Sequence, residues 1–303
     1  MISLLKMTDK AGVVYKPGVT IVALENEYKI YENVNESSEV IVWIPKEVRP
    51  YKYELRNMCD EEIKDVGIKA NLLWPEKLLY DNSDDQYCGY VTKKPKILGR
   101  LVPLSEIIEK KRWFDDIEKK NNVFIGLQIA RMFKAIRDTR HGYTLGIISL
   151  ESFWVDEALN VFFLESYNCA RNINTTVKTY YVAPELLMYD SWKGKFTAES
   201  DSFIYALLLF QLLTGRFPYN SSRNVEKTDV EYIWNLMCDG ESVFYNKTDI
   251  FTKEILAELN NYSERISELF YHAFDYCGRV DYIEQRPMID EWMEALSEYM
   301  NNS

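Results

Sequence analysis

Residues 142–166 read GYTLGIISLESFWVDEALNVFFLES, an apolar stretch whose four carboxylates include Glu151, Asp156 and Glu165. Glu165 follows the run NVFFL as an acidic residue at the end of a strand. Other reactive side chains stand apart from one another. His141 and His272 stand singly in the sequence, no Ser-His-Asp spacing is present, and no G-x-S-x-G elbow occurs. The five cysteines, Cys59, Cys88, Cys169, Cys238 and Cys277, are odd in number and widely scattered. They form no C-x-x-C pair, which argues against a disulfide framework or a zinc site and for reduced thiols.

The 303 residues fit one large domain or two lobes sharing a cleft. A net charge of −11 disfavours nucleic acid and anionic membrane as partners, since both require a basic stripe. KKPKILGR is the one basic run that stands out, and it reads as a solvated loop. The apolar run in MISLLKMTDKAG is too short for a signal peptide. FIYALLLF falls well below the ~20 residues of a membrane span. The expectation is a soluble, cytoplasmic protein.

GVTIVALEN, EYKIYENV and EVIVWIP read as strands, being rich in β-branched and aromatic residues between polar turns. ELRNMCDEEIKDVG is expected to form a short helix ending at Gly67, and KLLYDNSDDQYCGYVT a hairpin. Beyond KKPKI the pattern turns helical. Ile125, Ile129, Met132, Phe133 and Ile136 share one helical face, with Gly142 beyond its end. DSFIYALLLFQLLTG is apolar on all sides, which marks a helix at a domain centre. SERISELFYHAF and RPMIDEWMEALSEYM are amphipathic, with Pro287 expected in the first turn of the latter and the terminal NNS frayed. The fold class is therefore α+β, a small antiparallel β-rich part (1–91) followed by a larger helical part (92–303).

This order of elements resembles the protein kinase fold, and the resemblance covers nearly the whole chain. Its strongest motif is Ala183-Pro184-Glu185, followed by the helix expected to open at Asp201 and close in LLTGRFPY. The resemblance implies that Glu185 pairs with Arg286 and that Asp201 braces the catalytic-loop backbone. LLWPEKLLYDN, CGYV and GYTLG are similar to a bacterial subgroup of eukaryotic-like Ser/Thr kinases.

Phosphoryl transfer in such a fold needs a phosphate cradle, a third-strand Lys, Mg²⁺ ligands and an Asp that receives the hydroxyl proton. Laying H-R-D-x-x-x-x-N on this chain puts Leu145, Gly146 and Ile147 at H, R and D, and Ser152 at the Asn. An isoleucine accepts no proton, and a serine is a weaker Mg²⁺ ligand than an amide oxygen. The D-F-G triplet is represented by Glu165-Ser166-Tyr167. No glycine stands between Gly18 and Gly67 to close over phosphates, and Glu25 and Glu27 would repel them. Trp43 aligns with the third-strand Lys. Lys46 stands three residues further on, beyond Pro45, and Glu54 is the candidate helix Glu. The segment CARNINTTVKTYY would be the activation segment, with Thr175, Thr176, Tyr180 and Tyr181 as candidate phosphate acceptors; the favoured reading is a polar loop with its tyrosines packed beneath it.

The resemblance with these losses implies a pseudokinase, a catalytically inactive regulatory or scaffolding module. Its expected partner is a protein, such as an active kinase or another signalling protein. No cofactor is expected, ATP included. The alternative is an atypical enzyme or nucleotide sensor that reuses the cleft with Glu165 as metal ligand.

Overall fold

The computed structural model describes residues 7–24, 28–50, 52–81, 86–109, 116–170, 179–187, 196–220, 228–245, 250–276 and 280–302. Glu25, Glu27, most of the DNSDD turn, Thr175, Thr176 and Cys277 lie outside the described residues. The chain is α+β and divides into two compact units. The first comprises 1–96 together with 138–143 and 162–171; the second comprises 97–137, 144–161 and 172–303.

The first unit opens with two short strands, β1 (Met7–Thr8) and β2 (Val14–Tyr15). The longer β3 (Pro17–Leu24), β4 (Tyr28–Asn33) and β5 (Glu39–Trp43) follow, at the three positions read as strands. Helices α1 (Lys52–Cys59) and α2 (Val66–Lys69) come next, then the hairpin β6 (Lys77–Asp81) and β7 (Tyr87–Lys93). The strands form one antiparallel sheet in the order β2-β1-β6-β7-β5-β4-β3. Strands β2 and β3 are separated in sequence by Lys16 alone, yet they end the order at opposite sides. The sheet must therefore curl until its two ends meet. Two hydrogen bonds tie the segment after β4 to the β2–β3 junction, from the Val34 amide to the Lys16 carbonyl (3.0 Å) and from Asn35 Nδ2 to the Val14 carbonyl (2.7 Å).

The helix expected to run to Gly67 stops at Cys59 instead. The Asp60 and Glu61 amides turn back to the carbonyls of Asn57 and Met58, and Asp65 caps a separate α2 by accepting from the Ile68 amide. Three successive acidic residues at 60–62 offer no apolar face to continue the helix.

The second unit begins with β8 (Val102–Pro103), α3 (Leu104–Glu109) and α4 (Asp116–Arg137), continues with β9 (Phe153–Val155), and includes Val161, the first residue of β10 (Val161–Phe163). Helices α5 (Pro184–Leu187), α6 (Ala198–Thr214), α7 (Val230–Asp239), α8 (Ile250–Leu259), α9 (Glu264–Tyr271) and α10 (Ile289–Asn302) complete it. Every residue of α6 from Ser200 to Thr214 is buried, as its uniform apolarity predicts. The five residues expected on one face of α4 are all buried. Gly126 lets α4 approach α6: a Cβ there would lie 2.6 Å from Leu209 Cδ1, and the Tyr205 hydroxyl donates to the Gly126 carbonyl at 3.0 Å.

Three helix boundaries differ from expectation. Helix α6 opens at Ala198, not Asp201, because Thr197 and Ser200 form a reciprocal cap, each side chain accepting from the other's amide. Pro287 precedes α10 instead of entering its first turn; its carbonyl accepts the Ser202 hydroxyl. At the other end of α10, Asn301 and Asn302 remain helical.

Candidate functional site

The segment leading to Ile147 is held by the backbone. Gly146 adopts φ +72°, a left-handed conformation that costs a side chain strain and a glycine none. The Leu145 amide donates to Asp201 Oδ2 at 3.0 Å. Burial pushes the Asp201 carboxyl up to about 8, against the opposing effects of that hydrogen bond and of the Arg137 charge. Asp201 Oδ1 is buried with no hydrogen-bond partner among the described residues.

Ile147 is 6% exposed, and Leu145 and Ile148 near it in sequence are buried as well. Ser152 is wholly buried, and its hydroxyl accepts from the Ser149 amide at 3.0 Å while Ser149 Oγ accepts from the Glu151 amide. The Ser152 oxygen thus closes a short 3-10 turn, Leu150–Ser152. Of the flanking acids, Glu151 accepts from Ser105 Oγ. Asp156 accepts from the amides of Leu98, Ala158 and Asn160 and from Asn160 Nδ2, all within 3.0 Å. That saturated carboxylate organises a turn and has little capacity left for substrate.

The second segment belongs to the first unit. Glu165 is 4% exposed and accepts from Asn168 Nδ2 at 2.9 Å, opening the 3-10 turn Ser166–Ala170. Ser166 donates to the Leu72 carbonyl, and the Tyr167 ring meets Tyr28 edge-on at 6.1 Å. Close by, the Tyr90 hydroxyl is buried without a partner among the described residues. Burial, reinforced by Cys169, Cys59 and Glu165, holds its phenol well above the ordinary range.

Trp43, aligned with the third-strand Lys, stands opposite Lys29 and Gly89 in the ladder, on the face that also carries Tyr31, Ile41, Leu79 and Val91. Met7 and Tyr15 join that cluster, and the Trp43 indole packs at its edge. The opposite face carries Ile30, Val42, Leu78, Tyr80 and Tyr90. It meets α1, where Lys52 Nζ lies 4.6 Å from the Tyr80 ring, and the 166–170 turn, where Tyr28 meets Tyr167. Side chains of a strand alternate between faces, so Trp43 points away from α1 and from Glu165. The residues of β5 on the α1 face are Val40 and Val42, both fully buried, so β5 presents no lysine there. Lys46 is exposed in a 3-10 turn past the strand, and Glu54 is half-buried near the start of α1.

Among the other sequence candidates, Ala183 is fully buried and Pro184 begins α5. Arg286, 2% exposed, grips Glu185 through two parallel hydrogen bonds, Nη1 to Oε1 at 2.8 Å and Nη2 to Oε2 at 2.7 Å. Its guanidinium also lies 4.7 Å from the Phe203 ring centre. Tyr180 donates to the Thr228 carbonyl, and buried Tyr181 donates to Gln211 Oε1 at 2.6 Å. His141 contacts Glu61, and no shift of function follows from that pair alone. No group of three or more His, Cys, Asp or Glu able to hold a metal occurs among the described residues. No helix among them is long and apolar enough to cross a membrane.

Sequence reasoning missed two features here. The first is the N-terminal hairpin β1–β2 that closes the Trp43 face; strands of two residues leave almost no periodic signal. The second is the buried Tyr90 hydroxyl, whose want of a hydrogen-bond partner among the described residues is set by tertiary packing. No protein-family model and no curated protein matches the chain.

Proposed function

We propose that this chain is a degenerate protein kinase-like fold without phosphotransferase activity, acting as a regulatory or scaffolding module for a protein partner. The observation that carries the reading is Ile147. It occupies the proton-acceptor position in a loop whose backbone is braced by Asp201, and its side chain is a buried aliphatic group. The Glu185–Arg286 pair supports the same alignment from a second site. The chemistry has gone while the braces of the scaffold are kept, which fits a chain selected for shape. Ser152 and Glu165 add to the case, since each is engaged in a local turn. The aliphatic α1-facing residues of β5 add the missing phosphate-binding lysine.

A thermal-shift titration with ATP, with and without Mg²⁺, tests this reading alongside an assay for transfer of labelled γ-phosphate. The expected outcome is no label transfer and no shift at millimolar ATP. A ligand at 100 times its dissociation constant would add about 2.7 kcal/mol. A shift without transfer points to the nucleotide sensor, and Mg²⁺-dependent transfer abolished by Glu165→Gln points to the atypical enzyme.

A further inference from the structure

Between α1, β6 and the turn at residues 9–11 the first unit holds a depression of about 350 Å³. That volume is at the small end of the range that takes organic groups, roughly 300–1,000 Å³. Ala11, Leu78 and Tyr80 give it an apolar lining, and Cys59 joins them as a neutral sulfur. Burial, with the nearby charge of Asp60, pushes that thiol up to about 12.

Cations surround this apolar floor although the chain as a whole is acidic. Lys10, Arg56 and Lys77 line it, and Lys52 sits over the Tyr80 ring. Lys10 and Arg56 are exposed and have no ion-pair or hydrogen-bond partner among the described residues. Asp9 is the one acid in the lining, and its oxygens are committed to the amides of Ala11 and Val13 and to the Tyr15 hydroxyl. Lys77 keeps a loose contact with Glu39 at 3.7 Å.

Tyr80 supplies a second, independent observation. The residue is 5% exposed, and its hydroxyl is buried without a hydrogen-bond partner among the described residues. A desolvated O–H with no acceptor is a cost to the fold that an incoming acceptor would relieve. On α1, Tyr53 is 72% exposed and lies one turn from Arg56. Exposed Tyr and Arg side by side are the residue types that anchor protein interfaces.

We propose that this depression is a docking site for a short acidic segment of a partner protein, with one apolar side chain seated against Leu78 and Tyr80. The partner's carboxylates face Lys10, Lys52 and Arg56, and one of them accepts the Tyr80 hydroxyl. Repulsion from the overall charge of −11 does not cancel this local field, because it is screened beyond about 10 Å at 0.1 M salt. The depression shares no lining residue with Ile147 or Glu165, so the proposal stands or falls independently of whether the chain transfers phosphate.

The test uses the full chain and a labelled peptide of Asp and Glu around a single Phe, read by fluorescence anisotropy at 0.1 M and 0.5 M salt. Binding is expected to weaken at the higher salt, and to fall at least tenfold for Arg56→Glu and for the peptide with Phe replaced by Ala. Tyr80→Phe is expected to weaken binding about tenfold, the range for a hydrogen bond to a charged group. The same variant should melt at or above the wild-type temperature, since it removes an unsatisfied hydroxyl. A Tyr80→Phe chain that melts well below wild type would show that the hydroxyl serves the fold and overturn its assigned role. The proposal also fails if no peptide binds, if Arg56→Glu binds equally, or if a lysine-rich counterpart binds as well. It fails too if only vesicles containing phosphatidylserine bind in place of the peptide.

Discussion

Asp201 is a carboxyl held inside a helical unit by a single amide, with its second oxygen unpartnered. Burial raises its folded-state value to about 8 from an ordinary 3.8. Between those limits the folded chain keeps a proton that the unfolded chain has released. Stability therefore falls as pH rises from about 4 to about 8 and is level above that. Asp201→Asn preserves an acceptor for the Leu145 amide and cannot titrate. Its melting temperature is expected to lose this downward component, so the difference between variant and wild type grows in the variant's favour toward pH 8. Parallel melting profiles for the two proteins would mean that Asp201 stays ionised in the fold. At Ile147 the residue-level argument is simpler: an aliphatic group at 6% exposure has no proton chemistry at any pH.

Elements in this chain meet where glycine or a buried ion pair permits it. In the sheet, Gly89 of β7 faces Trp43 of β5, and a Cβ at residue 89 would lie 2.0 Å from the Val42 carbonyl oxygen. Backbone cannot yield as a flexible side chain does, so Gly89→Ala must push the two strands apart. Overpacking of this kind costs about 1–3 kcal/mol, to be read from urea unfolding; an unchanged midpoint would mean the strands separate freely there. In the helical unit, Arg286 ties the start of α5 to the approach of α10 through Glu185. Removing one partner of a buried pair costs about 3–5 kcal/mol, because the other charge is left uncompensated. Arg286→Ala is expected in that range, with Glu185→Gln recovering part of the loss in the double variant. A loss under about 1 kcal/mol would place the pair with ordinary surface bridges.

At the scale of the molecule, the chain divides into two compact units and carries a net charge of −11. Much of this was legible in one dimension. The all-apolar run at 202–214 announced a buried helix, the alternating runs at 17–43 announced strands, and Ala183-Pro184-Glu185 with Arg286 announced a pair that the coordinates contain. Periodicity and local capping chemistry act over a few residues, so the sequence by itself determined the class of each long element and the aliphatic character of position 147. What needed three dimensions was orientation and closure. Trp43 could be given a position along its strand from sequence, but the face it takes depends on register with β4 and β7 and on the β1–β2 hairpin that covers it. The cations around Tyr80 come from the 9–11 turn, from α1 and from β6, three segments that only the folded chain brings together. Side-chain direction and partner loss are set by nonlocal packing, and that is the information the tertiary structure alone supplied.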